Sequence, residues 1–435
     1  MKALVLVSFL VFFSEIFAQN NGFIIKNNKR AEKIKFENFN NLMVIPLQVN
    51  GVDMNFLLDT GIDRTILFSF EKVDSLMLKN TKKIKVRGLS TKDKYRAYKS
   101  TGNQIKIDKV INKHADIYVI FDQKNYLSGS LGTVINGVIG YDLLKDFIVR
   151  FDYTYNTVKF YTPSKFNRAL IFFKEKDIQL INKKPHIMAT YSDADMGKQQ
   201  GSFLLDTGSS DAVWLYHNDS LTLPSKKFKD NIGFGLKGIV TGYRSKLDQF
   251  DLADYHFTAV NVAFPDLKED FSKTRVGSIG NEILRRFRFF INYSDQKIYL
   301  KTNSFIDDPF VYDKSGLLLR YDGLSIIKKQ IPVKISIQKS SVDDASVHQK
   351  NKFKTIYEIK KKVKIAGVRE NSPAQEAGFL LGDIIVGLEN KSINQYDLKE
   401  VRNLLSDQDE KKISIKVNRD GKIIEAELEL NDRLN

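Results

Sequence analysis

The sequence has no cysteine among its 435 residues and is poor in histidine, proline and tryptophan, with five, eight and one. Without cysteine there can be no disulfide, thiolate metal site, iron–sulfur cluster or cysteine nucleophile. No two histidines stand four residues apart, as a helical zinc motif would need. We therefore expect chemistry carried by oxygen or nitrogen groups, with no metal and no cofactor.

The first 18 residues have the pattern of a secretory signal peptide. Lys2 precedes an apolar run over residues 3–13, and Ala18 precedes the polar Gln19. The apolar run is shorter than the roughly 20 residues of a membrane-spanning helix. We expect a signal peptide over residues 1–18, no stable membrane span, and export to the periplasm or the extracellular space.

The net charge of +16 is concentrated in one part of the chain. Residues 314–364 hold thirteen Lys or Arg and four Asp or Glu, so +9 of the excess lies in 51 residues. A solvated basic loop is the simplest interpretation, and attraction to an acidic peptide or to a lipid or polysaccharide surface is the alternative. No nucleic-acid partner is expected, because the excess is local and the chain carries an export signal.

One hexapeptide occurs twice, 147 residues apart. Residues 56–61 read Phe-Leu-Leu-Asp-Thr-Gly, and residues 203–208 repeat them letter for letter. A strand-like segment and a turn precede each copy. An apolar element ending in glycine follows each copy, at residues 138–140 and 278–280. Such a repeat predicts two lobes of one design.

The two repeated aspartates, Asp59 and Asp206, each follow an apolar strand. The glycine of the motif permits a tight turn in which backbone N–H groups can hold the carboxylate. If a two-fold axis relates the lobes, the two carboxyls meet and share one proton, because adjacent like charges cannot both ionise. The ionised member can then take a proton from water while the protonated member polarises a carbonyl. The pattern predicts a pair of carboxyls that activates water.

The doubled motif resembles the aspartic proteases of the pepsin and retropepsin class. The resemblance implies a mainly β fold with two pepsin-like or retropepsin-like β-barrel lobes. It also implies that Asp59 and Asp206 are the catalytic dyad and that Thr60 and Thr207 hold the two loops together. Residues that complete the two loops are Gly61, Gly208 and Ser209.

Two positions depart from the family pattern without removing a catalytic carboxylate. Ile62 replaces the usual small residue after the first motif, and Ser278 is polar where an apolar residue is usual. Ile62 removes a hydroxyl that could have bonded to Asp59.

A flap that covers the substrate is expected from the hairpin that follows each motif. The candidates lie near residues 88–98 and residues 233–242. Tyr95 or Tyr98 could serve as the flap tyrosine, and a surface aromatic residue is the alternative interpretation.

The C-terminal residues carry a second resemblance. Residues 372–384 contain Ser-Pro-Ala, Ala-Gly and Gly-Asp-Ile, and residues 419–422 read Arg-Asp-Gly-Lys. They resemble a bacterial PDZ domain, an α+β module that adds a peptide strand to a sheet edge and holds the peptide's terminal carboxylate on backbone N–H groups. The candidate carboxylate loop contains Gly316, Leu317 and Leu318, and a structural hairpin is the alternative.

The predicted segments are a signal peptide (1–18), lobe one (22–162), a linker with lobe two (163–309), and a PDZ domain (310–435) with a basic insertion at about 328–364. Residues 170–173 of the linker are expected to form a strand. Because both motifs lie in one chain, we expect a monomer.

These features predict an exported aspartic endopeptidase that acts on peptide or protein substrates. Its PDZ domain would recruit substrate, by binding a peptide C-terminus, or regulate access. The competing hypothesis is a catalytically inactive peptide-binding protein on the same scaffold. PDZ domains also accompany serine proteases, but the sequence contains no Gly-x-Ser-x-Gly and no Gly-Asn-Ser-Gly.

Overall fold

The computed structural model describes residues 22–70, 73, 75–87, 94–120, 126–216, 223–235, 238–266, 275–333, 352–406, 411–431 and 433–434. The described chain is mainly β, as the sequence predicts. The predicted signal peptide lies outside the described residues. Within them, no helix has both the length and the apolar character that crossing a bilayer requires.

The first lobe is built around a closed β-sheet. Its strands are β1 (Ile24–Ile25), β2 (Ala31–Lys35), β3 (Glu37–Phe39), β4 (Leu42–Val49), β5 (Val52–Leu58), β6 (Ile66–Leu67), β7 (Lys82–Arg87), β8 (Lys94–Ile107), β9 (Val110–Ile120), β10 (Gly137–Ile139), β11 (Ile148–Asp152) and β12 (Thr157–Tyr161). Its helices are α1 (Tyr126–Leu131) and α2 (Tyr141–Leu144). The sheet runs β1-β9-β6-β10-β5-β4-β8-β7, and pairing of β8 with β9 closes it.

The second lobe repeats this design with the same strand connections. Its elements are β13 (Lys174–Asp177), β14 (Gln179–Ile181), β15 (Lys184–Asp193), β16 (Gly197–Leu205), β17 (Val213–Leu215), β18 (Phe228–Gly235), β19 (Gly238–Leu252), β20 (Tyr255–Pro265), β21 (Gly277–Ile279), α3 (Asn281–Leu284), β22 (Phe287–Asn292) and β23 (Lys297–Thr302). The sheet runs β14-β15-β16-β21-β17-β20-β19-β18, and β15 also pairs with β19. The alternating and continuous apolar runs of these strands fill one core that extends through both lobes.

A third sheet joins the lobes in the order β13-β23-β22-β11-β12-β2. At its centre β11 of lobe one pairs antiparallel with β22 of lobe two. Phe151 lies opposite Phe289, and their rings stack with centroids 4.7 Å apart. The pseudo-two-fold axis of the repeat therefore passes between two hydrogen-bonded strands, which sets the spacing of the lobes.

The linker differs from the sequence prediction at residues 170–173. These residues form a turn, in which the Phe173 N–H donates to the Leu170 carbonyl over 2.8 Å, and β13 starts only at Lys174. Leu170 and Phe173 pack against the small apolar cluster of Ile148, Tyr161 and Phe290. Their apolar character reflects this packing, and the prediction of a strand was wrong.

The C-terminal domain is an α+β unit with its own core. Its elements are β24 (Leu317–Val333), β25 (Lys352–Val368), α4 (Pro373–Glu376), β26 (Ile384–Leu388), β27 (Lys391–Ser392), α5 (Leu398–Ser406), β28 (Lys411–Arg419) and β29 (Lys422–Leu430). The sheet order is β24-β25-β26-β28-β29, so β24 is an edge strand. One face of α5 packs into this core through apolar residues at helical spacing, namely Leu398, Val401 and Leu405.

The described residues of the predicted basic insertion lie in the hairpin of β24 and β25. Residues 328–333 continue β24, residues 352–364 belong to β25, and the two strands pair from Leu317 with Val368 out to Val333 with Lys352. The basic residues described here therefore extend a hairpin of the domain. Lysine is common on such exposed strands because its charge opposes edge-to-edge association.

Candidate active site

The two repeated aspartates occupy equivalent positions at the ends of β5 and β16. The Asp59 N–H donates to the Ile139 carbonyl and the Asp206 N–H to the Ile279 carbonyl, each over 2.9 Å. Each acceptor belongs to a short strand, β10 or β21, that runs parallel to the strand carrying the aspartate. The apolar elements that the sequence singled out thus hold the aspartate loops.

Reciprocal hydrogen bonds tie the two aspartate loops together. The Thr60 N–H donates to the Thr207 Oγ1 and the Thr207 N–H to the Thr60 Oγ1, each over 3.0 Å. The Thr60 hydroxyl then donates to the Leu205 carbonyl (2.5 Å) and the Thr207 hydroxyl to the Leu58 carbonyl (3.0 Å). Both threonine side chains are fully buried, and these four hydrogen bonds satisfy their polar groups across the pseudo-two-fold axis.

The glycines of the two motifs allow this close approach. A Cβ on Gly61 would lie 2.8 Å from the Asp206 Oδ1, and a Cβ on Gly208 would overlap the Asp59 carboxyl. Each glycine N–H also donates to the aspartate of its own motif, over 2.6 Å from Gly61 to Asp59 and 3.0 Å from Gly208 to Asp206. The glycines thus bring the carboxyls together and supply a donor to each.

The two carboxyls differ in their electrostatic surroundings. Burial, and then the charge of Asp206, raise the pKa of Asp59 to about 8. Burial also raises the pKa of Asp206, but the positive charge of Arg275 is the largest opposing influence, and Lys184 and a hydrogen bond with Asp59 act in the same direction. The two carboxyls therefore titrate as one pair that shares a proton, and the nearby positive charge of Arg275 favours ionisation at Asp206.

Asn281 supports the second loop, and the motifs alone do not reveal it. Its Nδ2 donates to the Thr207 carbonyl over 2.7 Å, and its Oδ1 accepts from the Tyr153 hydroxyl over 2.6 Å. The corresponding pair across the axis is Tyr141 and Tyr293, whose rings meet edge to face at 5.7 Å. The Tyr293 hydroxyl is buried without a hydrogen-bond partner among the described residues. The only signal for Asn281 in the sequence is its place after Gly280, matching Tyr141 after Gly140.

Ser209 and the two departures from the family pattern lie around the same loops. The Ser209 N–H donates to the Asp206 carbonyl over 3.3 Å, and its own carbonyl accepts from the Asn281 N–H over 2.8 Å. The Ile62 carbonyl accepts from the Tyr141 N–H over 3.1 Å, and its side chain packs on an apolar face of lobe one. Ile62 and Ser209 therefore hold the loops against α2 and α3 through their backbone, and Ser278 pairs with Leu204 in the strand that leads to Asp206.

The predicted flap in lobe one is described only in part. Residues 88–93 and the side chain of Tyr95 lie outside the described part of the chain. Tyr98 pairs with Lys83 and Val119 in the sheet and packs against the main core, so no described contact supports a flap role for it. In lobe two, residues 233–235 and 238–242 belong to the hairpin of β18 and β19, and Gly233 approaches the Trp214 ring.

Two family models match the chain. Residues 45–143 match the aspartyl protease family model, and residues 337–430 match the PDZ domain model. The chain contains an aspartyl protease domain followed by a PDZ domain. Among solved structures it is similar to the aspartic proteinase from Irpex lacteus, with 14% identity and a TM-score of 0.40, over 64% of this chain and 99% of that chain. No curated protein matches the chain.

The candidate carboxylate loop at residues 316–318 bonds its first two N–H groups to nearby side chains of the chain itself. The Gly316 N–H donates to the Asp313 Oδ1 over 2.7 Å, and the Leu317 N–H donates to the Ser315 hydroxyl oxygen over 3.0 Å. Leu318 pairs with Gly367 in β25. An internal carboxylate, that of Asp313, thus occupies the donor that a peptide C-terminus would need.

The free edge of β24 is covered by lobe one of the protease domain. A Cβ on Gly129 of α1 would lie 3.2 Å from the Tyr321 carbonyl oxygen, and Tyr321 also lies against Gly132. On the other side, α5 reaches the same edge through Arg402, which donates to the Leu319 carbonyl over 3.0 Å. A peptide strand that paired with β24 would have to displace α1.

The described residues contain no cluster of three or more His, Asp or Glu that could hold a metal ion. The groups that meet at the pseudo-two-fold axis are carboxyls, hydroxyls and amides. They are suited to binding a water molecule between two carboxyls and to moving its proton.

Proposed function

We propose that this protein is an exported aspartic endopeptidase whose water nucleophile is activated by Asp59 and Asp206. The observation that carries the proposal is the meeting of two carboxyls on loops locked by reciprocal threonine hydrogen bonds. The aspartyl protease family match supports the same conclusion. Residues 1–18 support export, which fractionation of expressing cells and N-terminal sequencing of the exported protein would test.

We infer the roles of the two carboxyls from their unequal surroundings. Ionised Asp206 takes a proton from the water while the water oxygen attacks the scissile carbonyl carbon. At the same time protonated Asp59 gives its proton to the carbonyl oxygen. The resulting tetrahedral diol collapses as the C–N bond breaks. The proton held by Asp206 moves to the leaving amine, and a diol hydroxyl returns a proton to Asp59. No cofactor is required, and the dyad returns to its starting state.

Hydrolysis of an unfolded protein and of a peptide library tests the activity. Asp206→Asn and Asp59→Asn should each lower kcat/KM by about 10²–10⁴-fold, the range expected for a lost acid or base. Cleavage that survives both substitutions would overturn the proposal. Peptide binding without cleavage at any pH from 3 to 9 would favour the inactive peptide-binding alternative.

We further propose that the PDZ domain regulates the protease domain. The contact of β24 with α1 supports regulation over free recruitment of substrate, because the surface that would bind a peptide strand already touches lobe one. Arg369 adds a second link, since it bonds to the Asp313 and Lys314 carbonyls and lies 3.7 Å from Asp230 of lobe two. A monomer is sufficient for this arrangement, so activity per molecule should not fall on dilution.

A further inference from the structure

The pseudo-two-fold axis relates two sheet faces, one on each side of the dyad. Strand register makes the correspondence explicit. Leu57 pairs with Val138 in lobe one, and Leu204 pairs with Ser278 in lobe two. These pairs lie two residues before Asp59 and Asp206 respectively. A peptide laid across the dyad therefore meets the lobe-one face on one side of its scissile bond and the lobe-two face on the other.

Further hydrogen bonds fix the same alignment on the neighbouring strands. The Phe68 N–H donates to the Asn136 carbonyl, and the Tyr216 N–H donates to the Val276 carbonyl, each over 2.9 Å. Phe68 therefore corresponds to Tyr216, and by one step along the chain Ile135 corresponds to Arg275.

The face in lobe one is apolar throughout. Its residues belong to one buried cluster, which Leu131 of α1 helps to cover. Six positions of this face are Leu42, Val44, Ile66, Phe68, Ile135 and Val138.

The face in lobe two carries basic, polar and aromatic residues at the same six positions. In the same order its residues are Lys184, His186, Trp214, Tyr216, Arg275 and Ser278. None of the six belongs to an apolar core cluster, whereas the neighbouring inward-facing residues do. Leu204, which corresponds to Leu57, keeps the apolar character of lobe one.

Contacts within the lobe-two face hold its polar groups in place. The Tyr216 side chain forms hydrogen bonds with Ser278 and Arg275, and the Arg275 guanidinium lies 5.0 Å from the centre of the Tyr216 ring. His186 is buried and bonds through Nδ1 to the Lys184 carbonyl over 2.9 Å. Among the described residues, the Lys184 ammonium forms no ion pair.

This basic face also lies close to the dyad. The positive charges of Arg275 and Lys184 both lower the pKa of Asp206, and the negative charge of Asp206 raises the pKa of Tyr216. A side chain next to the scissile bond would thus reach the face while the bond itself is at the dyad.

We propose that the lobe-two face is a binding site for an acidic side chain, so that the enzyme cleaves between an apolar residue and a Glu or Asp. The inference rests on the proposed function, because it names the substrate class of the same site. Arg275 and Lys184 provide two cations for one carboxylate, and a guanidinium can bind a carboxylate through two parallel hydrogen bonds. The lobe-one face offers only apolar contacts, so the two lobes select different side chains on the two sides of the scissile bond.

The competing explanation is that these cations serve only to keep Asp206 ionised. The two explanations differ in a measurable way. A role confined to the dyad would change the turnover of every substrate by the same factor. A binding role changes the ratio of affinities for acidic and neutral peptides.

The test measures affinities of four peptide analogues in which a hydroxyethylene group replaces the scissile amide, so that binding is read without hydrolysis. The residues flanking that group are Leu–Glu, Glu–Leu, Leu–Gln and Gln–Leu. Calorimetry at about pH 6 keeps the glutamate ionised. The proteins are the wild type, Arg275→Gln, Arg275→Ile, which installs the lobe-one residue, and Arg30→Gln, an exposed arginine elsewhere.

We compare Leu–Glu with Leu–Gln, and Glu–Leu with Gln–Leu. In one of these two comparisons the glutamate analogue should bind at least about tenfold more tightly than the glutamine analogue, as expected for a hydrogen bond between charged groups. Arg275→Gln and Arg275→Ile should reduce the ratio to near one, while Arg30→Gln should leave it unchanged. The proposal would be overturned if glutamate and glutamine analogues bound equally in both orders, or if the preference for glutamate survived both Arg275 variants. It would also be overturned if no analogue bound. Hydrolysis assays judge the protease function separately, since a protein that selects glutamate analogues but cleaves nothing refutes only that function.

Discussion

Arg402 of the PDZ domain donates a hydrogen bond to the carbonyl oxygen of Ser130 in α1 of lobe one, over 2.6 Å. The same Nη2 also donates to the Leu319 carbonyl on the free edge of β24. One guanidinium therefore joins α5, β24 and α1 at the place where a peptide strand would be added. Leu131 of α1 belongs to the apolar face beside the dyad, so this contact connects the PDZ edge to the active-site lobe.

Arg402→Ala should loosen the contact between the PDZ domain and lobe one. The Ser130 and Leu319 carbonyls each lose a charged donor, at a cost of about 1.5–3 kcal/mol per bond when the acceptor stays unpaired. We expect faster amide hydrogen exchange in peptides that contain α1 and the first half of β24. Exchange in β28 and β29, on the other side of the PDZ sheet, should not change.

Lys399→Ala provides the matched control, because Lys399 lies exposed on the same helix. It should leave exchange in α1 and β24 as in the wild type. If Arg402→Ala left exchange in both segments unchanged, the contact would not be holding the two domains together. Faster exchange together with altered peptidase activity would be the result expected of a regulatory contact.

Thr207→Val should destabilise the protein strongly although the two side chains have nearly the same shape. The substitution removes the acceptor of the Thr60 N–H and the donor to the Leu58 carbonyl, both in a fully buried site. Leaving two buried polar groups unpaired costs about 2–5 kcal/mol in the free energy of unfolding. Urea denaturation would measure the loss.

Thr207→Ser keeps the hydroxyl and serves as the control for that measurement. It should recover most of the stability, losing only the buried methyl group at about 1 kcal/mol. Equal losses in the two variants would show that packing, rather than the reciprocal hydrogen bonds, holds the two aspartate loops.

The sequence predicts the centre of this molecule better than its periphery, for a physical reason. Asp59 and Asp206 are recognisable because a tight turn next to a buried strand requires a particular local order of residues, and that order is repeated. The same holds for α2 and α3, which begin immediately after Gly140 and Gly280.

Contacts between distant segments leave no comparable local signal. Nothing in the residues of α1 indicates that they meet β24, and nothing around Gly316 shows that Asp313 would occupy its N–H group. The polar Ser278 is visible as an exception in the sequence. Its meaning depends on Arg275 and Tyr216, which only the folded chain brings to it.

The pH dependence of kcat/KM should follow the dyad as a pair. In the proposed mechanism Asp206 is ionised and Asp59 is protonated, so the rate should rise as Asp206 loses its proton and decline as pH rises through about 8, where Asp59 ionises. Lys184→Met removes a cation whose charge lowers the pKa of Asp206. Lys184 also lowers the pKa of Asp59, so both limbs of the profile should move to higher pH.

An uncharged peptide substrate is needed for this measurement, so that only the enzyme titrates. Lys412→Met, at an exposed site on β28, is the control and should give the wild-type profile. A shift of the lower limb to lower pH in Lys184→Met would contradict the assigned direction. A profile that stays flat up to pH 10 would mean that Asp59 does not act as the acid.

Asp59→Asn should make the protein more stable at pH 8 although it slows hydrolysis. Burial and the Asp206 charge raise the pKa of Asp59 from 3.8 to about 8, so between these values the folded state keeps a proton that the unfolded state has released. The free energy of unfolding therefore falls as pH rises from about 4 to about 8, and it is unaffected by this group below pH 4.

Asparagine imitates the neutral carboxyl and cannot ionise. We expect the variant to gain about 2–5 kcal/mol over the wild type at pH 8 and almost nothing at pH 4. Denaturation curves at both pH values measure the difference, with Asp53→Asn, an exposed site on β5, as control. If the two proteins lost stability in parallel between pH 4 and pH 8, the proton would not reside on Asp59, and the roles of the two aspartates in the dyad would have to be exchanged.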